Sequence, residues 1–299
     1  MQKDFILGVG CQKGATSWLR KQLNEYETCN FGFRKEYHIF DVLYKVENVR
    51  EKFIKKNDLI YNFKSNIKRT FKNILLSEYR RDFFLLDVKN YFDYFNSLFL
   101  NNKELTTTGD LTPSYAGLPS EAFKDIKENL EKRGFKVKVI FIMRDPLERI
   151  WSQARMLIKK YKSNNLGNIF SDLGPIIDNL DPNNIDNELV EYIYKDERVI
   201  KRTRYEKTIN NLEKVFNKDD IFYTLYENLF HKETLDRLKS FLCLPNLIFD
   251  SEKIYKTNPK ANKHELSNDL KKDIFNFYKD TYLLCDIRFN ARSSWNYFE

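Results

Sequence analysis

An apolar run from Phe5 to Val9 reads as a short buried strand, and Trp18, Leu19 and Leu23 follow at helical spacing. Between them lies a polar turn, Gly10-Cys-Gln-Lys-Gly-Ala-Thr-Ser17, with one lysine and two hydroxyls. Such a strand–loop–helix junction aims backbone N–H groups and a helix N-terminus at one place, which suits an anion, phosphate above all. The Gly-x4-Gly-Lys-Ser/Thr spacing of a nucleoside triphosphate loop is not met, because Lys13 precedes Gly14. Taken alone, the segment is equally an ordinary strand–helix turn with an exposed lysine.

A second strong run, Val137 to Met143, is nearly continuous in apolar residues, as strands buried on both faces of a parallel sheet are. A helix from about Ser120 to Arg133, closed by Gly134, precedes it. The run enters Arg144-Asp-Pro-Leu-Glu-Arg-Ile-Trp-Ser152, where Asp145 suits an N-cap and Pro146 the first helical position. Arg144 then stands at the carboxyl end of a central strand, where open α/β sheets bind ligands, with Ser152 a little over two helical turns on.

Elsewhere the pattern predicts peripheral helices over 45–82, a strand at Phe83–Leu86 ending in Asp87, and a core-facing helix over 91–99. A helix over 201–216 precedes a parallel strand at Asp220–Tyr226. One more helix runs through Leu235, Leu238, Phe241 and Leu242, and a last one starts near Ser267. Residues 160–190, rich in Asn, Asp, Gly and Pro, read as an irregular excursion on the substrate side. The whole predicts an α/β fold, three-layered and P-loop-like, with a central parallel sheet flanked by helices in a single domain over 1–299.

Composition narrows the class. No stretch approaches the roughly 20 apolar residues of a membrane-spanning helix, and the first strand follows Met1 too closely for a signal peptide. Four scattered cysteines without metal-ligand spacing read as reduced thiols in a cytoplasmic protein, and with three histidines no metal site is expected. The net charge of +8 is spread along the chain, which fits a mildly basic surface or an acidic ligand. Basic and aromatic residues do not alternate as on a nucleic-acid platform, so no nucleic acid is expected.

The remaining chemistry sits in Lys35-Glu-Tyr-His-Ile-Phe-Asp41 and in Thr107-Thr-Gly-Asp-Leu-Thr-Pro-Ser-Tyr115. If the first piece is extended, Glu36 and His38 face the same side, because side chains alternate along a strand; a solvated polar loop is the other reading. Pro113 marks the second piece as a loop leaving a short strand.

In this order the motifs resemble those of sulfotransferases that use 3′-phosphoadenosine 5′-phosphosulfate (PAPS), from Gly8 to about Ser267. Gln12 to Leu19 is similar to that family's Lys-x-Gly-Thr-Ser/Thr-Trp-Leu loop around the 5′-phosphosulfate. Arg144 to Ser152 matches its Arg-Asp-Pro-x-x-Arg-x-x-Ser segment for the 3′-phosphate. Lys35–Asp41 looks like the Lys-Glu-x-His-Phe-Phe-Asp segment of the carbohydrate, heparan-sulfate-type branch, in which the glutamate is the general base. Gly109–Tyr115 and Tyr226–Leu229 resemble further family segments.

The resemblance implies in-line transfer of a sulfuryl group from PAPS to a hydroxyl of a carbohydrate or related small molecule. Adenosine 3′,5′-bisphosphate is then the product, and no metal takes part. Lys13, Glu36 and His38 become the catalytic residues, with Glu36 ahead of His38 as base and its pKa raised by partial burial. Donor contacts fall to Gln12, Lys13, Gly14, Ala15, Thr16, Ser17, Arg144, Ser152 and, from the basic loop Lys256–Lys263, Lys260. Trp18 either packs on the adenine or is a core tryptophan. Two departures stand out: Gly14-Ala15 reverses the usual small–Gly order, and Asp110-Leu111 replaces Glu-Lys. The rival readings are a P-loop nucleotide kinase and a non-catalytic nucleotide-binding protein on the same fold.

Overall fold

A computed structural model describes residues 2–46, 73–166, 168–250 and 266–297. Its strands are β1 (Lys3–Gly10), β2 (Cys29–Asn30), β3 (Thr107–Leu111), β4 (Phe135–Met143) and β5 (Ile221–Leu225). They form one sheet in the order β2-β3-β1-β4-β5, parallel throughout. β1 is its centre, with Gly8 opposite Leu111 of β3 and Ile140 of β4. Because β1 and β4 are covered on both sides, almost every residue in them is buried, which is why their sequences read as unbroken apolar runs.

The described helices are α1 (Thr16–Asn24), α2 (Phe40–Leu43), α3 (Asn73–Leu86), α4 (Lys89–Asn101), α5 (Ser120–Glu131), α6 (Pro146–Lys162) and α7 (Gly174–Asp178). After them come α8 (Ile185–Ile193), α9 (Glu197–Ile200), α10 (Tyr205–Glu213), α11 (Lys232–Leu242), α12 (Asn268–Phe277) and α13 (Lys279–Phe289). On one sheet face, Trp18, Leu19 and Leu23 of α1 and Leu235 and Leu238 of α11 pack with Ile6, Ile140 and Phe222. On the other, Phe95 of α4, Phe123 of α5, Ile150 of α6 and Tyr205 of α10 join Phe5, Leu7 and Phe141 in the larger core. The expected three-layer α/β architecture is what the chain adopts.

Two expectations are corrected. Phe83–Leu86 is the last turn of α3, not a strand, and Asp87 follows it. Phe84 is buried against Phe33, Tyr37 and Tyr91, whereas Phe83 and Leu86 are exposed. A short apolar run carries too few residues to reveal its period. Residues 160–190 are largely helical: α6 ends within them, a 3₁₀ turn spans Asn168–Leu173, and α7 and the start of α8 follow. Phe170, Leu173, Ile177 and Leu189 are buried in the main core, so this stretch is a packed layer whose Asn, Asp and Pro residues fall largely at helix ends and turns. The helices expected over 47–72, and the basic loop Lys256–Lys263 with Lys260, lie outside the described residues.

Candidate functional site

The carboxyl ends of β1, β3 and β4 open at one end of the sheet, and sequence order reverses around β1, the crevice where such sheets take ligands. From β1 the chain turns through Cys11–Ala15 into α1, with the Gly14 N–H donating to the Cys11 carbonyl at 3.0 Å. No side chain caps the N-terminus of α1, so its first-turn N–H groups carry the positive end of the helix dipole. The glycine order has a steric cause. A Cβ at Gly14 would stand 3.0 Å from the Cys11 carbonyl oxygen and Sγ and 3.1 Å from the Ile142 carbonyl oxygen, so a larger residue there would have to push this backbone aside by a few tenths of an ångström.

The left-handed conformations fall instead on Lys13, at φ 71°, and Ala15, at φ 65°. A Cβ in that region is disfavoured by roughly 1–2 kcal/mol, part of which glycine would lose again as unfolded-state entropy. Ala15→Gly should therefore stabilise the protein by about 0.5–1 kcal/mol, seen as a higher urea midpoint with an unchanged slope. A lower midpoint would show that the Ala15 methyl packs more usefully than it strains.

Lys13 is half-buried. Its pKa is lowered by that burial and then by the charges of Arg144, Lys35, Arg155 and Lys160. Arg144, at the end of β4, donates from Nη1 to the Lys13 carbonyl at 3.3 Å, which ties the two junctions together. It also donates from Nη2 to Glu148 at 3.3 Å and lies 4.8 Å from the centre of the Tyr226 ring. The Tyr205 hydroxyl donates to the Arg144 carbonyl at 2.8 Å.

Behind Arg144, Asp145 caps α6 by accepting from Leu147 N at 3.0 Å, as the sequence implies. Sequence spacing does not show the rest of its shell: the Tyr282 hydroxyl at 2.6 Å, and Asn296 N and Nδ2 at 3.0 and 3.2 Å. Trp295 Nε1 donates to Glu227 at 2.8 Å, so the segment Ala291–Tyr297 is stitched across the back of the Arg144 junction.

Thr16 is buried, Ser17 exposed, and Ser152 buried on α6. Trp18 is a core tryptophan. Only 3% of it is exposed, its ring packs on Phe230 and Phe249, and Nε1 donates to the Asp250 carbonyl at 3.1 Å. Among the described residues the buried Nε atoms of Arg144 and Arg155 and Oε1 of Gln12 have no hydrogen-bond partner. Unsatisfied guanidinium donors beside a lysine crowded by cations form a donor set that fits phosphate or sulfate oxygens. No group of three or more His, Cys, Asp or Glu side chains among the described residues is placed to hold a metal.

Glu36 and His38 do meet, though not by strand alternation. Among the described residues, 35–39 is an irregular link between β2 and α2, and His38 takes a left-handed φ of 54°. The link is held from several sides. Tyr37 N donates to Thr112 Oγ1 at 3.0 Å, Ile39 N to the Tyr115 hydroxyl at 3.3 Å, and Arg81 to the carbonyls of Tyr37 and His38 at 2.9 and 3.0 Å.

His38 Nε2 lies 3.2 Å from Glu36 Oε2, and Nδ1 lies 2.6 Å from Asp41 Oδ2. Ser114 Oγ stands 3.3 Å from the same Nδ1. Burial pulls the His38 pKa down, but the bonds to Asp41 and Glu36 outweigh it and carry it up to about 9. For Glu36, burial acts upward, yet its bond to His38 and the charges of His38, Lys35 and Arg202 prevail. Its pKa is lowered, which corrects the expectation of a raised one. The resting pair at neutral pH is a carboxylate against an imidazolium.

That ion pair has a pH signature. The raised His38 pKa adds stability that is complete below its ordinary value of 6.5 and disappears as pH rises through about 9. The lowered pKa values of Glu36 and Asp41 act in the opposite sense, adding stability above their ordinary values of 4.5 and 3.8 that is lost on acidification. Unfolding free energies from urea melts should thus decline between pH 6.5 and 9, and His38→Gln should flatten that decline. Parallel curves would dismiss the ion pair as a source of stability.

Asp110 takes the place of the expected Glu-Lys pair and is fully buried. It accepts from Thr112 Oγ1 at 2.6 Å and from the Tyr115 and Tyr91 hydroxyls at 2.8 and 2.9 Å. Burial outweighs these three donors and pushes its pKa up to about 6. Since Thr112 and Tyr115 also bond the 37–39 backbone, Asp110 fixes the segment that presents Glu36.

No protein-family model matches the sequence, and no curated protein matches it. Its fold belongs to a class of α/β structures already solved. A sulfotransferase from Alicyclobacillus acidocaldarius superimposes at a TM-score of 0.56 over 96% of this chain and 96% of its own, with 15% identity. A sulfotransferase domain from the Synechococcus PCC 7002 olefin synthase matches at a TM-score of 0.46 over 93% and 96%, with 12% identity. Another, from the curacin biosynthetic pathway, matches at 0.43 over 86% and 79%, with 15% identity. The first of these likenesses establishes the fold. Among the described residues, no helix is long and apolar enough to cross a membrane.

Proposed function

We propose that this chain is a PAPS-dependent sulfotransferase acting on an acceptor hydroxyl, of a carbohydrate or related small molecule. The observation that carries the reading is the joining of two βα junctions, Lys13 to Arg144, at the sheet end that also bears the Glu36–His38–Asp41 cluster. The cations Lys13 and Arg144, with the uncapped α1 N-terminus, fit a donor that carries phosphates at both ends of its nucleoside. In this reading Gln12 to Ser17 hold the 5′-phosphosulfate, and Arg144 and Ser152 hold the 3′-phosphate.

Glu36 accepts the acceptor's hydroxyl proton as that oxygen forms its bond to sulfur. The bond between sulfur and the bridging oxygen breaks, and Lys13 neutralises the charge left on the 5′-phosphate. Adenosine 3′,5′-bisphosphate leaves. His38 is already an imidazolium, so its work is to hold Glu36 ionised and aimed. The cations at this end supply charge stabilisation without a metal.

Purified protein, given PAPS and a panel of sugar and small-molecule hydroxyls, should release adenosine 3′,5′-bisphosphate. It should bind that product without magnesium. Magnesium-dependent ATP binding in its place would establish the kinase reading, and tight product binding without transfer to any acceptor the non-catalytic one.

A further inference from the structure

Arg149 is wholly buried on α6, five residues after Arg144 and three before Ser152, yet none of its guanidinium nitrogens has a hydrogen-bond partner among the described residues. No ion pair among those residues includes it either. Gln153, one turn further on, is equally buried, and both its amide atoms lack a partner. Among the described residues, groups that feel the Arg149 charge include the Cys11 thiol, at the start of the Lys13 loop, and the phenols of Tyr205 and Tyr278. Each is neutral at ordinary pH, because burial first of all pushes its pKa up.

A guanidinium cannot shed its proton to escape burial. A buried cation without a counter-charge is destabilising, and replacing a buried charge by an apolar side chain of similar volume is often neutral or stabilising. The fold nevertheless keeps a cation here, three residues before Ser152 on the same helix and felt by the Cys11 thiol at the start of the Lys13 loop. Its burial gives the charge reach. Across an effective dielectric of about 20, a unit charge roughly 10 Å away changes binding of an opposite charge about tenfold. Salt screens such a buried charge far less than it screens a surface lysine.

We infer that Arg149 is a specificity-determining residue of the donor site: an internal cation left without a carboxylate, whose charge is balanced when a polyanionic nucleotide binds. The inference rests on the sulfotransferase reading for the identity of that nucleotide. It differs from a packing role in the sign of one effect.

Arg149→Met and Arg149→Lys test it, by thermal melts of the ligand-free proteins and by calorimetric titration with adenosine 3′,5′-bisphosphate and adenosine 5′-monophosphate at low and high salt. Arg149→Met should melt at the same or a higher temperature than the unaltered protein and bind the bisphosphate about tenfold or more weakly. Its preference for bisphosphate over monophosphate should narrow, and the loss should persist at high salt. Arg149→Lys should keep most of the affinity. A lower melting temperature for Arg149→Met, failure of that variant to fold, or unchanged bisphosphate affinity overturns the inference and leaves the proposed function intact. Failure of the unaltered protein to bind the bisphosphate overturns both.

Discussion

Glu36→Gln is expected to lower turnover by about 10²–10⁴-fold, the usual contribution of a positioned general base, with the affinity for adenosine 3′,5′-bisphosphate unchanged. The substitution keeps the shape of the side chain and an oxygen facing His38, but an amide takes no proton. Single-turnover rates with PAPS and a titration of the product separate the two effects. His38 is the competing base, and the geometry argues against it. Its Nδ1 faces Asp41 and its Nε2 faces Glu36, and with a pKa carried up to about 9 it begins the cycle protonated. Normal turnover in Glu36→Gln, together with inactivity in His38→Gln, would transfer the role to His38.

Replacing Lys13 by alanine should slow turnover by roughly 10²–10³-fold, the loss seen when one preorganised group facing developing negative charge is removed. Product affinity should fall much less, because Arg144 and the α1 N-terminus remain. Lys13→Arg is not expected to restore the rate, since a planar fork does not replace a compact ammonium held at a left-handed backbone position. Equal losses in single-turnover rate and in product affinity would reduce Lys13 to a binding residue.

Sheet and junctions are readable in the sequence for one reason: a strand buried on both faces must be apolar throughout, and the chain leaving it must turn. Hence Phe5–Val9 and Val137–Met143 announce themselves, and so do the Lys13 loop and the capping Asp145. Strand alternation predicts the Glu36–His38 pairing, but the real cause is a left-handed turn held by Thr112, Tyr115 and Arg81. Those partners are distant in sequence, so spacing cannot reveal them. Asp110 is equally hidden. In the sequence it is a departure from a motif, and only folding shows it receiving three hydroxyls. The helical character of 160–190 is masked by its Asn, Asp and Pro residues, although Ile177 and Leu189 belong to the core.

β1, placed at the centre of the sheet, has a consequence for how the chain is made. Its residues leave the ribosome well before those of both neighbours, for they pair with β3 about a hundred positions later and with β4 after that. At about 5–20 residues per second the strand waits on the order of 10 s without either neighbour. Through that interval Phe5-Ile-Leu-Gly-Val9 is an unpaired apolar edge of the kind that recruits other chains. Slower elongation before residue 143, or scarcity of chaperones, should therefore reduce soluble yield without altering the stability of molecules that finish folding. The loop bearing Lys13 takes its final shape only when β4 arrives and the Arg144 guanidinium reaches the Lys13 carbonyl.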